Sequence, residues 1–361
     1  MSSEIALKNS TFEASIKRSA EIENELKKDS SNFRVLTGDR PTGSLHIGHL
    51  FGTLENRVRI QNMGVETFIV IADYQVLTDR EVSSTIAENV LGLVMDYLSV
   101  GLDPECGKTF IFPHSHVPEL NQLLLPFLFL VTNSELDRNP TVKEEIKAAS
   151  LKSISAGMYT YPVHQTADIL SVRGNLVPVG KDQLPHVEMA RVIARRFNTR
   201  FGNGKEIFKE PEALISSAPL ILGLDGGQKM SKSRNNAILL KATEDEVASL
   251  VKKAKTDSER VITYDPEGRP EVSNLLRICS LASGRSPEEI AMEIGDAGSG
   301  KLKKLTTELL NAYLAPIRAR RSKFEQDKEY IRAVLNKGIK RAREEAEKTL
   351  IEVRRAMNME F

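Results

Sequence analysis

FRVLTGDRPTGSLHIGHL, residues 33–50, holds an apolar strand, a glycine-rich turn and the opening of a helix in eighteen positions. Phe33 to Leu36 are short, apolar and β-prone, as a first buried strand requires. Gly38, Pro41 and Gly43 are expected to end that strand in a tight turn. Leu45 to Met63 reads as a helix, with Ile47, Leu50, Leu54 and Val58 on its inward stripe. His46 and His49 lie three apart in the expected first turn, on one face beside the free N–H groups. Such a helix end attracts phosphate through its unpaired donors and partial positive charge. Gly48, between the histidines, lets a flat ring approach the backbone. The stretch reads as a seat for a nucleoside triphosphate, although two histidines at this spacing also serve as an ordinary partly buried pair.

A second stretch changes that balance. Lys229-Met230-Ser231-Lys232-Ser233 (KMSKS) follows LGLDGGQ, a glycine-rich loop, and sets two ammonium groups three apart beside small hydroxyls. Alone it is a solvated basic loop. HIGH and KMSKS together, in this order and at this distance, are hard to reach by chance.

Around them the chain alternates strands and helices. Phe68 to Ala72, Thr109 to Phe112 and Leu176 to Val179 read as further strands. Ser84 to Val100 and Leu184 to Phe197 read as helices, the first carrying Ile86, Val90, Leu93, Val94 and Leu98 at helical spacing. Such alternation predicts an α/β fold: a Rossmann-like, doubly wound parallel sheet with its ligand at the strands' carboxyl ends. After about residue 240 helical patterns take over (244–255, 272–282, 286–294, 302–313 and a long stretch to the end), with Gly298, Gly300 and Pro316 expected to punctuate loops. Residues 1–32 are charged, helix-prone and poor in large apolar groups, an appendage. The expected division is therefore 1–32, a catalytic domain at 33–239, and an all-helical C-terminal domain at 240–361.

Apolar residues make up 40% and charged residues 27% of the 361, ordinary for a globular chain able to bury a sizeable core. LLLPFLFLV (123–131) is too short to span a bilayer and holds a proline. MSSEIALKNSTF has no apolar h-region, so no signal peptide is expected, and the two cysteines, Cys106 and Cys279, form no metal motif. A soluble cytoplasmic protein with reduced thiols is the simplest reading. The net charge of +1 hides basic residues from Arg318 onward, among them Arg320, Arg321, Lys337, Arg341 and Arg354. Most are interleaved with glutamates as i,i+4 pairs, and a stripe of the rest would suffice for nucleic-acid phosphates. His114 and His116 (PHSH) form an HxH pair, but with no cysteine or acidic cluster nearby to complete a zinc site. The pair is expected to be structural.

HIGH with KMSKS resembles the class I aminoacyl-tRNA synthetases. VPVGKDQLPH (177–186), followed by VEMARVIARRFN, is similar to the corresponding stretch of the tryptophanyl-tRNA synthetases, as are SAGMYTYPVHQTADIL (155–170) and KTDSERVITYDPEGRPEVSNLL (255–276). The likeness runs from about residue 33 to about residue 290. It implies activation of L-tryptophan with ATP, carried as its Mg²⁺ complex, and transfer to tRNA(Trp). It also implies a homodimer whose helical domain holds the anticodon end of the tRNA. The attacking carboxylate is already charged, so alignment and charge stabilisation are what the enzyme must supply. On this resemblance His46 and His49 serve the phosphates, Lys229 and Lys232 the leaving pyrophosphate, and Lys143 reaches the triphosphate. Arg40, Pro41, Thr42, Gly48, Ser231 and Ser233 would line the ATP seat, with Leu220 and Met230 near adenine. Gly180, Lys181 and Asp182 follow a strand end, where Asp182 could accept from ribose hydroxyls.

Tryptophan offers one side-chain donor, the indole N–H, on a large apolar body. Asp168 sits at the position resembling the family's acceptor, Gln183 and Tyr161 would hold the α-amino group, and Val177 and Val179 would supply apolar wall. The chain departs from the common bacterial pattern with Gln75 for a histidine, Gln165 for a methionine and Leu36 for a phenylalanine. Two amides in an indole pocket would each cost about 1–3 kcal/mol if left unpaired. Gln165 with Asp168 also matches a spacing of tyrosyl-tRNA synthetases, which leaves tyrosine as the competing substrate. Outside that pair of enzymes, a stand-alone HxGH nucleotidyltransferase would share the first motif, and a paralogue that binds without charging would share the fold.

Overall fold

A computed structural model describes residues 2–78, 84–149, 154–180, 183–215, 220–227 and 229–361. Five strands form one parallel sheet: β1 Arg34–Asp39, β2 Glu66–Ile71, β3 Thr109–Pro113, β4 Leu176–Val179 and β5 Glu212–Ile215. They run β3-β2-β1-β4-β5, so the order reverses beside β1, where a doubly wound sheet opens its ligand crevice. Strand β1 does not break at Gly38 as the sequence suggested; it continues to Asp39. A Cβ at Gly38 would stand 2.0 Å from the carbonyl oxygen of Val70, so the glycine serves close strand packing rather than a turn. Short β5, EALI, lacks the β-branched run that marks the other strands and was not foreseen.

Helix α1 (Ser2–Lys28) lies along β5. Next come α2 (Ile47–His49), a π turn at Leu50–Leu54 and α3 (Glu55–Asn62), where a single helix was expected. Ile47, Leu50, Phe51 and Leu54 are buried along this segment. One face of the sheet is covered by these and by α4 (Ile86–Val100). The other carries α5 (Pro118–Leu128), α8 (Ala156–Ser171) and α9 (Leu184–Phe201), with α6 (Asn133–Arg138) and α7 (Pro140–Ala149) packed against α8. The phenylalanines of β2 and β3 join α5, α8 and α9 in one apolar cluster, while Ile69, Ile71 and Ile111 join α4 in another.

The helical half holds α10 (Glu244–Lys253), α11 (Pro270–Ser283), α12 (Pro287–Ile294), α13 (Gly298–Gln326) and α14 (Lys328–Ala356). Gly298, Gly300 and Pro316 do not punctuate loops: α13 begins at the first and runs through the others. A mid-helix proline costs about 3 kcal/mol. Here Leu310, Leu314 and Ile317 are buried around it and hold the helix together. Helix α14 then returns to the sheet and packs across β3, with Ala342, Ala346, Leu350 and Val353 in the sheet's cluster. The approach is so close that a Cβ on Gly338 would lie 1.9 Å from Ile111 O.

Candidate active site

The strands' carboxyl ends present Asp39 from β1, Asp73 just beyond β2, His114 just beyond β3 and Gly180 beyond β4. His46 is the N-cap of α2 rather than a member of its first turn, because its ring takes the capping role. Its Nδ1 accepts from the Gly48 N–H at 3.1 Å, and His49 Nδ1 accepts from the His46 N–H at 3.3 Å. With Nδ1 accepting in both rings, the proton of each neutral imidazole sits on Nε2, the nitrogen farther from the backbone. Burial, then the neighbouring His49 and the two KMSKS lysines, lowers His46 to about 3. Burial likewise lowers His49, to about 4, with Asp39 opposing and Lys232, Lys229 and Arg57 assisting. At neutral pH the pair is therefore two uncharged donors with their rings 3.8 Å apart.

Lys229-Met230-Ser231-Lys232-Ser233 comes to this place. Leu240 N–H donates to Leu45 O at 2.9 Å and Ile47 N–H to Ile238 O at 2.9 Å, stitching the chain after KMSKS to the HIGH segment. Lys232 Nζ reaches Thr42 O at 3.1 Å across 190 positions of sequence. Met230 does not stand open: it is buried, with its Cβ 3.6 Å from where a Gly48 Cβ would lie. Lys229 is exposed, Ser231 N–H donates to Asn236 Oδ1, and Ser233 lies in a 3-10 turn. Pro41 is buried, and Arg40, Thr42 and Gly48 are partly so. Leu220 is exposed, its carbonyl accepting from Arg277. Lys143 stands exposed on α7 with no contact to the imidazoles among the described residues. Lys181 and Asp182 lie outside the described residues.

Residues that sequence reading missed hold the seat rigid. Arg57 donates to Asp39 Oδ2 at 2.5 Å and to Gly38 O at 3.2 Å, and Tyr97 OH donates to the same carboxylate at 2.6 Å. Burial would raise Asp39, but the Arg57 guanidinium holds it down at about 2. From the other side Asp96 Oδ2 accepts the Leu45 N–H at 2.8 Å, while Oδ1 accepts from Arg321 of α13 at 2.7 Å. Only pairs distant in sequence make these contacts, so local patterns carry no signal of them.

Beyond the seat, Asp168 is 1% exposed on α8 and does not point at solvent. Leu36, Val177 and Val179 are buried in the cluster that also contains Ala167, Ile169 and Leu170. Tyr161 OH and His186 Nε2 are 3.2 Å apart, and Gln183 N–H donates to Gly180 O. Gln75 and Gln165 are each only partly buried, so neither amide carries the cost of full desolvation expected for it. His116 is exposed, but His114 is fully buried, with its Nδ1 3.1 Å from Asp168 Oδ1. His114, His164 and Asp168 offer ligand atoms within 4.8 Å of one another. No helix among the described residues is long and apolar enough to cross a membrane.

A family model described as tRNA synthetases class I (W and Y) matches residues 27–315. The chain belongs to this family. Within it, the chain is 43% identical over 335 residues to a tryptophan--tRNA ligase of Clostridium longisporum, covering 91% of this chain and 97% of that protein. It is 42% identical over 334 residues to the tryptophan--tRNA ligase of Treponema pallidum, covering 90% and 97%. The tryptophanyl-tRNA synthetase of Campylobacter jejuni complexed with ADP and tryptophan superposes with a TM-score of 0.78 at 31% identity, over 90% of this chain and all of that one. These relatives place the chain in the tryptophan--tRNA ligase branch.

Proposed function

We propose that this chain joins the carboxylate of L-tryptophan to the α-phosphate of ATP, expels pyrophosphate, and passes the tryptophanyl group to tRNA(Trp). The observation that carries the reading is the meeting of HIGH and KMSKS over one seat, with a buried carboxylate beyond it. A carboxylate oxygen attacks the α-phosphorus while the bond to the β-phosphate oxygen breaks. The Nε2–H groups of His46 and His49 donate to phosphate oxygens, and Lys229 and Lys232 neutralise the departing pyrophosphate. Neutral imidazoles suit this work, since they donate without competing for the proton balance of the triphosphate. Mg²⁺ arrives with ATP as part of the substrate: the carboxylate nearest the seat, Asp39, is already taken by Arg57 and Tyr97. Asp168 accepts the indole N–H, Leu36, Val177 and Val179 wall the ring, and Tyr161 and Gln183 hold the α-amino group. Arg40, Thr42, Gly180, Asp182 and the KMSKS serines complete the nucleotide's surroundings. The helical half, α10 to α14, takes the tRNA, and two copies work as a cytoplasmic dimer.

ATP–pyrophosphate exchange with each of the standard amino acids tests the reading. Exchange with tryptophan alone is expected. Exchange with tyrosine alone would overturn the choice of amino acid, and none with any amino acid would overturn the enzyme.

A further inference from the structure

His114 was expected to be structural, yet it is the group that grips Asp168. Tyr74 N–H donates to His114 Nε2 at 3.0 Å, which makes Nε2 the acceptor and puts the ring proton on Nδ1. Nδ1–H then donates to Asp168 Oδ1 at 3.1 Å. A neutral imidazole can accept on one edge and donate on the other, and Asp73 Oδ1, 3.4 Å from Nε2, offers a counter-charge to the doubly protonated ring, so in either form Nδ1 carries a proton. Asp73 is itself held by Ser115, whose N–H donates to Oδ1 at 3.1 Å and whose hydroxyl donates to Oδ2. The loop after β2 and the turn after β3 are thus clamped around the ring. Asp168 Oδ2 takes no hydrogen bond among the described residues.

We propose that His114 is a positioning residue that determines specificity: it ties up one oxygen of Asp168 and turns the other, a pure acceptor, to a ring N–H of the amino acid. This deepens, and rests on, the tryptophan reading above. A carboxylate with one oxygen committed rewards a ligand that brings a donor and leaves a ligand without one facing an unmatched acceptor. The groups facing His114 are Asp168 and His164 from α8 and Asp73 and Tyr74 from the loop after β2. Burial would lower the imidazole, but Asp168 and then Asp73 hold it above its ordinary value. Charged or neutral, it keeps a proton on Nδ1. The same contacts argue against a metal at His114, His164 and Asp168. Both nitrogens of His114 are engaged, and His164 Nε2–H donates to Asn121 Oδ1 at 2.8 Å.

The test compares tryptophan with its benzothiophene analogue, which keeps the shape and replaces N–H by sulfur, as substrates for pyrophosphate exchange. Wild-type protein is expected to favour tryptophan in kcat/KM by roughly 100-fold. In His114→Leu that ratio should fall at least about tenfold, through tryptophan alone, and His114→Gln, which can still donate to Asp168, should return it to within about threefold of wild type. Equal losses for both substrates in His114→Leu, or a wild-type ratio near one, would overturn the proposal while leaving tryptophan activation standing. Absence of wild-type exchange with tryptophan would instead sink the functional reading. If the leucine variant fails to fold, a nitrogen-15 spectrum of the wild-type histidines decides: a proton on His114 Nδ1 supports the proposal, and a bare Nδ1 overturns it.

Discussion

Replacing Arg321 by Met should destabilise the protein through a residue far away in the chain. Asp96 is 0% and Arg321 5% exposed, and their 2.7 Å contact joins the helical half to α4. Removing the guanidinium strands a buried carboxylate, a change worth about 3–5 kcal/mol. Burial already raises Asp96 above its ordinary value, with Arg321 and then the Leu45 N–H opposing. Without Arg321 the folded-state value climbs further, so the folded state binds the proton more readily than the unfolded one. The variant's deficit should therefore shrink as pH falls from neutral toward the unfolded carboxyl range. Arg321→Met combined with Asp96→Asn leaves no charge buried and keeps an oxygen for Leu45 N–H; it should lie within about 1–2 kcal/mol of wild type. Urea unfolding of wild type and the two variants at pH 7 and pH 5 measures this. A single variant within about 1 kcal/mol of wild type, or a double variant no better than the single, would refute the reasoning.

Lys232→Ala and Lys229→Ala should each lower pyrophosphate exchange by about 10²–10³-fold with little change in unfolding midpoint, since both act on charge that develops outside the core. Acid should weaken the fold through His46 and His49. Their folded values of about 3 and 4 lie below the unfolded 6.5, so the unfolded state gains protons first and stability declines as pH drops from about 6.5 toward 4. A His46→Asn/His49→Asn protein should show a flatter urea midpoint over that window. Gly338→Ala should lose at least about 3 kcal/mol because its methyl would collide with Ile111 O at 1.9 Å, and thermal melting will report it. Ile22→Ala should cost about 2–5 kcal/mol by emptying the contact between α1 and the sheet, a result chemical unfolding can check.

The parts legible in the sequence were those with local periodicity or a dense motif. β4 was read at Leu176–Val179 as it stands, and α9 was read within a few residues of its end. HIGH and KMSKS were expected to share a place, and backbone bonds from Leu45 and Ile47 to Leu240 and Ile238 bring them together. β5 escaped because EALI, apart from its length, looks like any polar-edged segment. The π turn at Leu50–Leu54 was hidden because its apolar spacing satisfies an ordinary helix as well. Asp39 with Arg57, Asp96 with Arg321 and His114 with Asp168 were illegible for one reason. Each partner is an unremarkable polar residue until the fold sets it beside the other.

Helix α1 has a consequence for how the molecule is made. Arg18 grips Glu212, 194 positions further along the chain, and Ser19 receives the N–H of Ile215. On a translating ribosome the helix emerges well before its dock, which does not exist until β5 has been synthesised. At about 5–20 residues per second that wait lasts roughly 10–40 s. Throughout it, Ile22 and Leu26 lack Leu214, the β5 member of the cluster that buries them. Half of the seam between helix and sheet is thus made well before the strand that closes it.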